Sequence, residues 1–98
     1  MTEILTIQDF EPHIGTGFTI KTDDHVEIFT LTEVSPGKHS YPGGREPFSL
    51  AFTGSSSDLM FHSQMMHFTH PVMGEITMTI SPFGRTDDGH FRYEVVFN

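Results

Sequence analysis

Side chains that can bind metal ions are concentrated in one stretch of the sequence, residues 60–73. This Met/His segment holds three histidines and four methionines in fourteen residues. Imidazole and thioether ligands together suit copper, which raises the hypothesis of a transition-metal site. In a regular strand, however, His62 and His67 are five positions apart and His67 and His70 three, so each pair points to opposite faces. The favoured interpretation is therefore methionines that fill core gaps and histidines at strand edges, with no metal or other cofactor.

Other polar groupings give no catalytic pattern. The aspartates of Asp23-Asp24 and Asp87-Asp88-Gly89 lack the alternating oxygen ligands and the distal glutamate of a calcium loop, and they are typical of turns. The serine run 55–57 has no glycine-flanked nucleophile pattern, so it predicts a solvated turn. We therefore expect a protein that is not an enzyme.

Two segments are candidate binding surfaces. The first is the loop 35–45, where Tyr41 and Arg45 lie among prolines and glycines, because Tyr and Arg are enriched at interface hot spots. The second is the Met/His segment, which offers an adaptable apolar contact through Met65, Met66, His67 and His70. An ordinary loop and an ordinary core strand remain the competing interpretations.

Composition limits the class of protein. The chain has 98 residues, which predicts a single β domain over 1–98, and it has no cysteine, which fits a reducing cytoplasm. Its net charge of -8 repels nucleic acids and anionic membranes. No stretch approaches the roughly 20 apolar residues that span a bilayer. We expect neither nucleic-acid binding nor membrane insertion.

The elements that position these residues are mainly strands. Thr6 and Asp9 resemble a helix capping box, and Gly15 is a plausible stop, so one short N-terminal helix is expected. After Gly15 the apolar residues alternate with period two. Strands are predicted around residues 18–20, 26–34, 48–52, 59–69, 76–80 and 91–97.

Six strands joined in sequence by turns predict an all-β fold, a six-stranded antiparallel meander. An open sheet of this size leaves two edges and an apolar face uncovered. The strands are therefore expected to form a small barrel or a barrel-like sandwich.

Several short motifs together resemble one protein family. They are Asp9-Phe10-Glu11-Pro12, Glu46-Pro47-Phe48-Ser49-Leu50, His70-Pro71, and Tyr93-Glu94 with Val96-Phe97-Asn98. The chain resembles an uncharacterised bacterial family, a domain of unknown function whose genes are often found beside phage-tail-collar-type fibre proteins. This resemblance implies an accessory or assembly role, and it implies no catalytic residue.

The functional expectation is a non-enzymatic interaction or assembly module with a protein partner, phage-tail-like or fibre-like. Two alternatives stay open: a small-ligand-binding β-barrel, which needs an internal cavity, and a Met/His metal binder. Self-association through threonine-rich edge strands is a further hypothesis.

Overall fold

The strands of this protein close into a barrel. The computed structural model describes residues 5–37 and 47–97, in which six antiparallel strands follow a short N-terminal helix. The strands are β1 (Gly17–Lys21), β2 (Val26–Pro36), β3 (Phe48–Gly54), β4 (Gln64–His70), β5 (Gly74–Arg85) and β6 (Phe91–Phe97). The predicted all-β barrel with one short N-terminal helix is confirmed.

The order of strands around the barrel departs from a simple meander. Neighbours follow the order β1-β2-β3-β6-β5-β4, so β3 pairs with β6 and β4 pairs with β1. Each half of the chain is a three-stranded meander, and the two halves join as Greek keys. Turn signals in the sequence predict which strands are consecutive, but they do not determine which free edges meet when the barrel closes.

This order has one strong consequence for the chain between β3 and β4. In a ring of six strands these two stand opposite each other. The chain must therefore cross an open end of the barrel through residues 55–63, which we name the crossover connection. With the turns 22–25 and 86–90 it forms the crossover end of the barrel, and the N-terminal helix and the turn 71–73 lie at the opposite helix end.

Side chains that point into the barrel alternate with side chains that point outward, and the inward ones form the core. In β3, Phe48, Leu50 and Phe52 are buried, while the residues between them are partly exposed. In β6, Tyr93 and Val95 point inward in the same way. Period two along a strand sends successive side chains to opposite faces, so these strands lie where the apolar pattern predicts them.

Two boundaries differ from the prediction. β4 begins at Gln64, and residues 59–63 belong to the crossover connection, in which Phe61 packs against the core while Leu59 and Met60 are exposed. β5 runs on to Arg85 through Pro82, a region predicted as a turn. The register shifts between Pro82 and Gly84, and a bulge of this kind accommodates a proline within a ladder.

The helix end is closed by a helical segment of the N-terminal region. α1 (Ile7–Phe10) continues into a single 3₁₀ turn, Glu11–His13. The Asp9 carboxylate accepts hydrogen bonds from the Thr6 N–H at 2.8 Å and the Thr6 hydroxyl at 3.2 Å, as the capping pattern predicted. Within the described chain, neither helical segment is long and apolar enough to cross a membrane.

Aromatic rings fill the barrel from one end to the other. Phe29 has ring contacts with Phe52, Phe61, Phe68 and Tyr93 at centroid distances of 6.4, 5.7, 5.3 and 4.9 Å. At the helix end, the ring of Phe10 contacts Phe18, Phe48 and Phe97 at 6.3, 5.9 and 5.7 Å. The rings of Phe18 and Phe52, 5.5 Å apart, join the two groups, so aromatic contacts connect both ends of the molecule.

Replacement of Phe10 by alanine tests whether α1 is part of the core. Phe10 is fully buried, so the truncation leaves a cavity and we expect a loss of about 3–5 kcal/mol in unfolding free energy. The measurement is urea unfolding followed by circular dichroism. Gln8→Ala, an exposed change in the same helix, is the control and should stay within about 0.5 kcal/mol. Equal stabilities of the two variants would contradict this role for α1.

Candidate functional site

The predicted Met/His segment divides between two faces of β4. Met65 and His67 point outward, and Met65 is 71% exposed. Met66 is half-buried against the core, and His70 is buried. His67 and His70 therefore lie on opposite faces, as the strand spacing predicted, and only Met65 and His67 are presented together.

The His70 side chain connects three parts of the helix end. Its Nδ1 accepts hydrogen bonds from the backbone N–H groups of Val72 and Met73, each at 3.1 Å. Since Nδ1 is an acceptor, the neutral ring carries its proton on Nε2, which donates to the Thr16 hydroxyl at 2.9 Å. The Thr16 hydroxyl in turn donates to the His13 carbonyl at 2.6 Å. His70 thus holds the turn 71–73 to the start of β1.

The electrostatic surroundings of His70 favour its neutral form. Burial lowers the pKa of His70, and the neighbouring His13 lowers this pKa further by repulsion between charged rings. The two ring centroids are 4.7 Å apart. A neutral ring is also the only form that can accept the two N–H donors, so geometry and electrostatics agree.

His67 belongs to no cluster of metal-binding side chains in the described part of the chain. His67 Nδ1 lies 2.9 Å from the Thr77 hydroxyl on β5. No group of three or more His, Cys, Asp or Glu side chains within residues 5–37 and 47–97 could hold a metal ion. Tyr41 and Arg45 lie outside the described residues.

A polar cluster that the sequence interpretation missed lies at the crossover end. Glu27, near the start of β2, is fully buried beside aromatic residues. Its Oε1 accepts hydrogen bonds from the Ser56 hydroxyl at 2.5 Å and from His25 Nε2 at 2.7 Å, and its Oε2 accepts one from the Ser56 N–H at 2.9 Å. A signal for this cluster was present, because Glu27 shares the strand parity of Phe29 and Leu31 and must point into the barrel with them.

The Glu27 cluster contains serine, histidine and glutamate but lacks the connections of a catalytic triad. In a triad the serine donates to the histidine, and the carboxylate binds the other ring nitrogen. Here Ser56 and His25 both donate to the same Glu27 oxygen, and the Ser56 hydroxyl is 3.5 Å from His25 Nε2. The Ser56 N–H, a potential oxyanion donor, is already bound to Glu27. This arrangement stabilises the carboxylate instead of activating the serine.

Two opposing effects determine the pKa of Glu27. Burial raises this pKa, but the hydrogen bonds from the Ser56 side chain, His25 and the Ser56 N–H outweigh burial, and the pKa lies below the ordinary value of 4.5. The carboxylate is therefore ionised at neutral pH. A buried charge of this kind is tolerated only when hydrogen bonds replace its hydration.

Further contacts attach the crossover connection to the barrel. The Ile28 N–H donates to the Ser55 hydroxyl at 3.0 Å, and the Phe61 N–H donates to the Tyr93 hydroxyl at 3.0 Å. Gly54 passes so close to the cluster that a Cβ there would lie 2.9 Å from Glu27 Oε2. The connection is thus held at both of its ends over the barrel opening.

The region that matches a known protein family has the same extent as the barrel. The model of one family, described as Domain of unknown function (DUF6916), matches residues 5–97, which include every helix and strand of the barrel. The chain belongs to the DUF6916 family. No curated protein and no solved structure matches the chain. The barrel and its Glu27 cluster are therefore features of a DUF6916 domain.

Glu27→Gln tests whether the buried carboxylate holds the crossover connection. Because the folded pKa is lowered, its stabilisation is present above pH 4.5 and is lost as pH falls through the folded pKa. We expect the variant to be less stable than wild type at pH 7, with the difference narrowing below pH 4.5. Urea unfolding across this pH range measures the effect. Glu33→Gln, exposed on the same strand, should show no such trend, and a pH-independent difference for Glu27→Gln would contradict the assignment.

Because the His70 ring is neutral in the folded protein, we expect a second loss of stability at acid pH, which arises at the helix end. Its pKa is lowered from 6.5, so its contribution to stability is present above that pH and is lost as pH falls through the folded pKa. Imidazole ¹H–¹⁵N spectra should show the Nε2–H tautomer at pH 6.5. His70→Asn should lower stability and remove this dependence, while His62→Asn, an exposed change, should do neither. A charged His70 in the folded protein at pH 6.5 would contradict the interpretation.

Proposed function

We propose that this DUF6916 domain is a non-enzymatic interaction or assembly module that binds another protein through its surface. The observation that carries the proposal is a run of sixteen residues, 59–74, without Asp, Glu, Lys or Arg in a chain of net charge -8. Its exposed members include Leu59, Met60, Met65 and Val72, at 40, 39, 71 and 75%. Charged residues are depleted at the centres of protein interfaces, and methionine is enriched there.

The interior and the polar clusters support a surface role. Aromatic rings occupy the barrel from Phe10 to Phe61, which disfavours the small-ligand alternative because a ligand site needs an internal cavity. The Glu27 and His70 clusters use their hydrogen-bonding atoms on the chain's own backbone and side chains. The Ser56 hydroxyl, the Glu27 carboxylate and both ring nitrogens of His70 are therefore engaged in hydrogen bonds within the chain.

The partner that we propose is a fibre-like or phage-tail-like structural protein in the bacterial cytoplasm. The family resemblance of the motifs suggests this partner, and the absence of cysteine fits that compartment.

Affinity capture from native cells tests the proposed function. The tagged protein, expressed from its native operon, should enrich the product of a neighbouring gene over a tagged acidic protein of similar size. Mass spectrometry of the eluates identifies what is captured. If wild type enriches nothing above that control, the proposed function is wrong.

A further inference from the structure

Exposed apolar side chains are unevenly distributed between the two ends of the barrel. Nine large hydrophobic side chains of the described chain are exposed. Three of them, Ile14, Val72 and Val96, lie toward the helix end. The other six lie in the crossover half: Val26, Ile28, Leu59, Met60, Met65 and Phe83. Leu59 and Met60 belong to the crossover connection itself and lie at the barrel opening.

Exposed carboxylates lie at the same end. Five exposed aspartates lie in the two turns and the connection that form it: Asp23, Asp24, Asp58, Asp87 and Asp88. Within residues 5–37 and 47–97, no lysine or arginine forms an ion pair with any carboxylate. The two nearby arginines instead stack on rings, Arg85 on Phe91 at 4.3 Å and Arg92 on Phe83 at 4.6 Å. The aspartates are therefore not neutralised by the barrel's own Lys or Arg side chains.

The surface at the crossover end is also held in place before any partner arrives. Ser55, Ser56 and Phe61 attach the connection to β2 and β6 through the hydrogen bonds described above. Phe61 packs its ring on Phe29 at 5.7 Å, directly beneath the connection. A surface that is already ordered loses less conformational entropy on binding.

We propose that the crossover end is a docking surface for a protein segment whose apolar side chains are flanked by lysine or arginine. This inference rests on the proposed function and names the surface and the partner chemistry. An apolar centre with a polar rim is the usual anatomy of a protein interface. The aspartates, which pair with no Lys or Arg of the described chain, select a cationic partner and disfavour a second copy of this end, a nucleic acid and an anionic membrane, because like charges repel.

A pair of designed peptides tests the partner chemistry. The probe has a leucine centre flanked by lysines, and its counterpart of equal length has glutamates in place of the lysines. We expect the lysine peptide to bind and to shift the amide resonances of residues 22–25, 55–63 and 86–90, with no binding by the glutamate peptide. Absence of lysine-peptide binding, or shifts centred on the helix end, would overturn the proposal.

Matched variants separate the apolar and electrostatic parts of the surface. Leu59→Ser with Met60→Ser should weaken peptide binding about tenfold or more, whereas Ile14→Ser with Val96→Ser, exposed toward the helix end at 48 and 55%, should change it less than about twofold. Thermal unfolding of each double variant shows that it remains folded. Equal weakening by both double variants would contradict a localised docking surface.

The aspartates are tested by a charge-matched pair of triple variants. One replaces Asp23, Asp58 and Asp87 by asparagine, and the other replaces Glu11, Glu75 and Glu94, which are exposed elsewhere, by glutamine. Both change the net charge equally, so only a local effect distinguishes them. We expect the aspartate variant to weaken lysine-peptide binding much more than the glutamate variant does. The salt dependence of that binding should also fall more in the aspartate variant. Equal effects would show non-specific attraction to an acidic protein and would overturn the proposal.

The native capture experiment distinguishes failure of this surface from failure of the proposed function. If the double variant Leu59→Ser with Met60→Ser captures the operon partner as well as wild type, the crossover end is not the docking surface. The proposed function as an interaction module would still hold. If wild type captures nothing while the lysine peptide binds the crossover end, the proposed function alone is contradicted.

Discussion

The position of β4 opposite β3 in the ring is the constraint on which the rest of the structure depends. It requires residues 55–63 to cross a barrel opening, and that places backbone N–H groups of the connection beside an apolar interior. Buried N–H groups need partners, and Glu27 and the Tyr93 hydroxyl supply them for Ser56 and Phe61. The buried carboxylate is tolerated because the same hydrogen bonds stabilise its charge. The strand order thus creates the need for buried hydrogen-bond acceptors, and the N–H groups of the connection in turn stabilise the buried carboxylate.

Both ends of the barrel are closed by the same means, an aromatic side chain carried on a segment outside the sheet. Phe10 on α1 occupies the helix end, and Phe61 on the crossover connection occupies the other. In each case one polar side chain of the barrel holds the segments near that end, His70 in one and Glu27 in the other. Large rings allow a chain of only 98 residues to fill a closed barrel with few side chains.

Several parts of the fold could be predicted because they depend on local pattern. Phe48, Leu50 and Phe52 alternate so regularly that β3 lies where period two places it, and the Thr6 and Asp9 pair predicted the start of α1. Residues 59–63 were misassigned to a strand, because Leu59, Met60 and Phe61 are residue types that also occur on a sheet face. β5 continues through Pro82 because a bulge accommodates it, and nothing in the local sequence distinguishes that bulge from a turn.

In the candidate site, too, some features follow from the local sequence and others only from the tertiary structure. Strand spacing alone placed His67 and His70 on opposite faces of β4, and the charge and composition of the chain already disfavoured nucleic acid as a partner. Only the tertiary structure showed that Ser56 meets Glu27, twenty-nine positions away, and that five exposed aspartates lie at the same barrel end as Leu59 and Met60. The physical reason is that side-chain direction within a strand is a local property of backbone geometry. Contacts between ends of different strands depend on which edges pair when the barrel closes, and that is decided by the packing of the whole core.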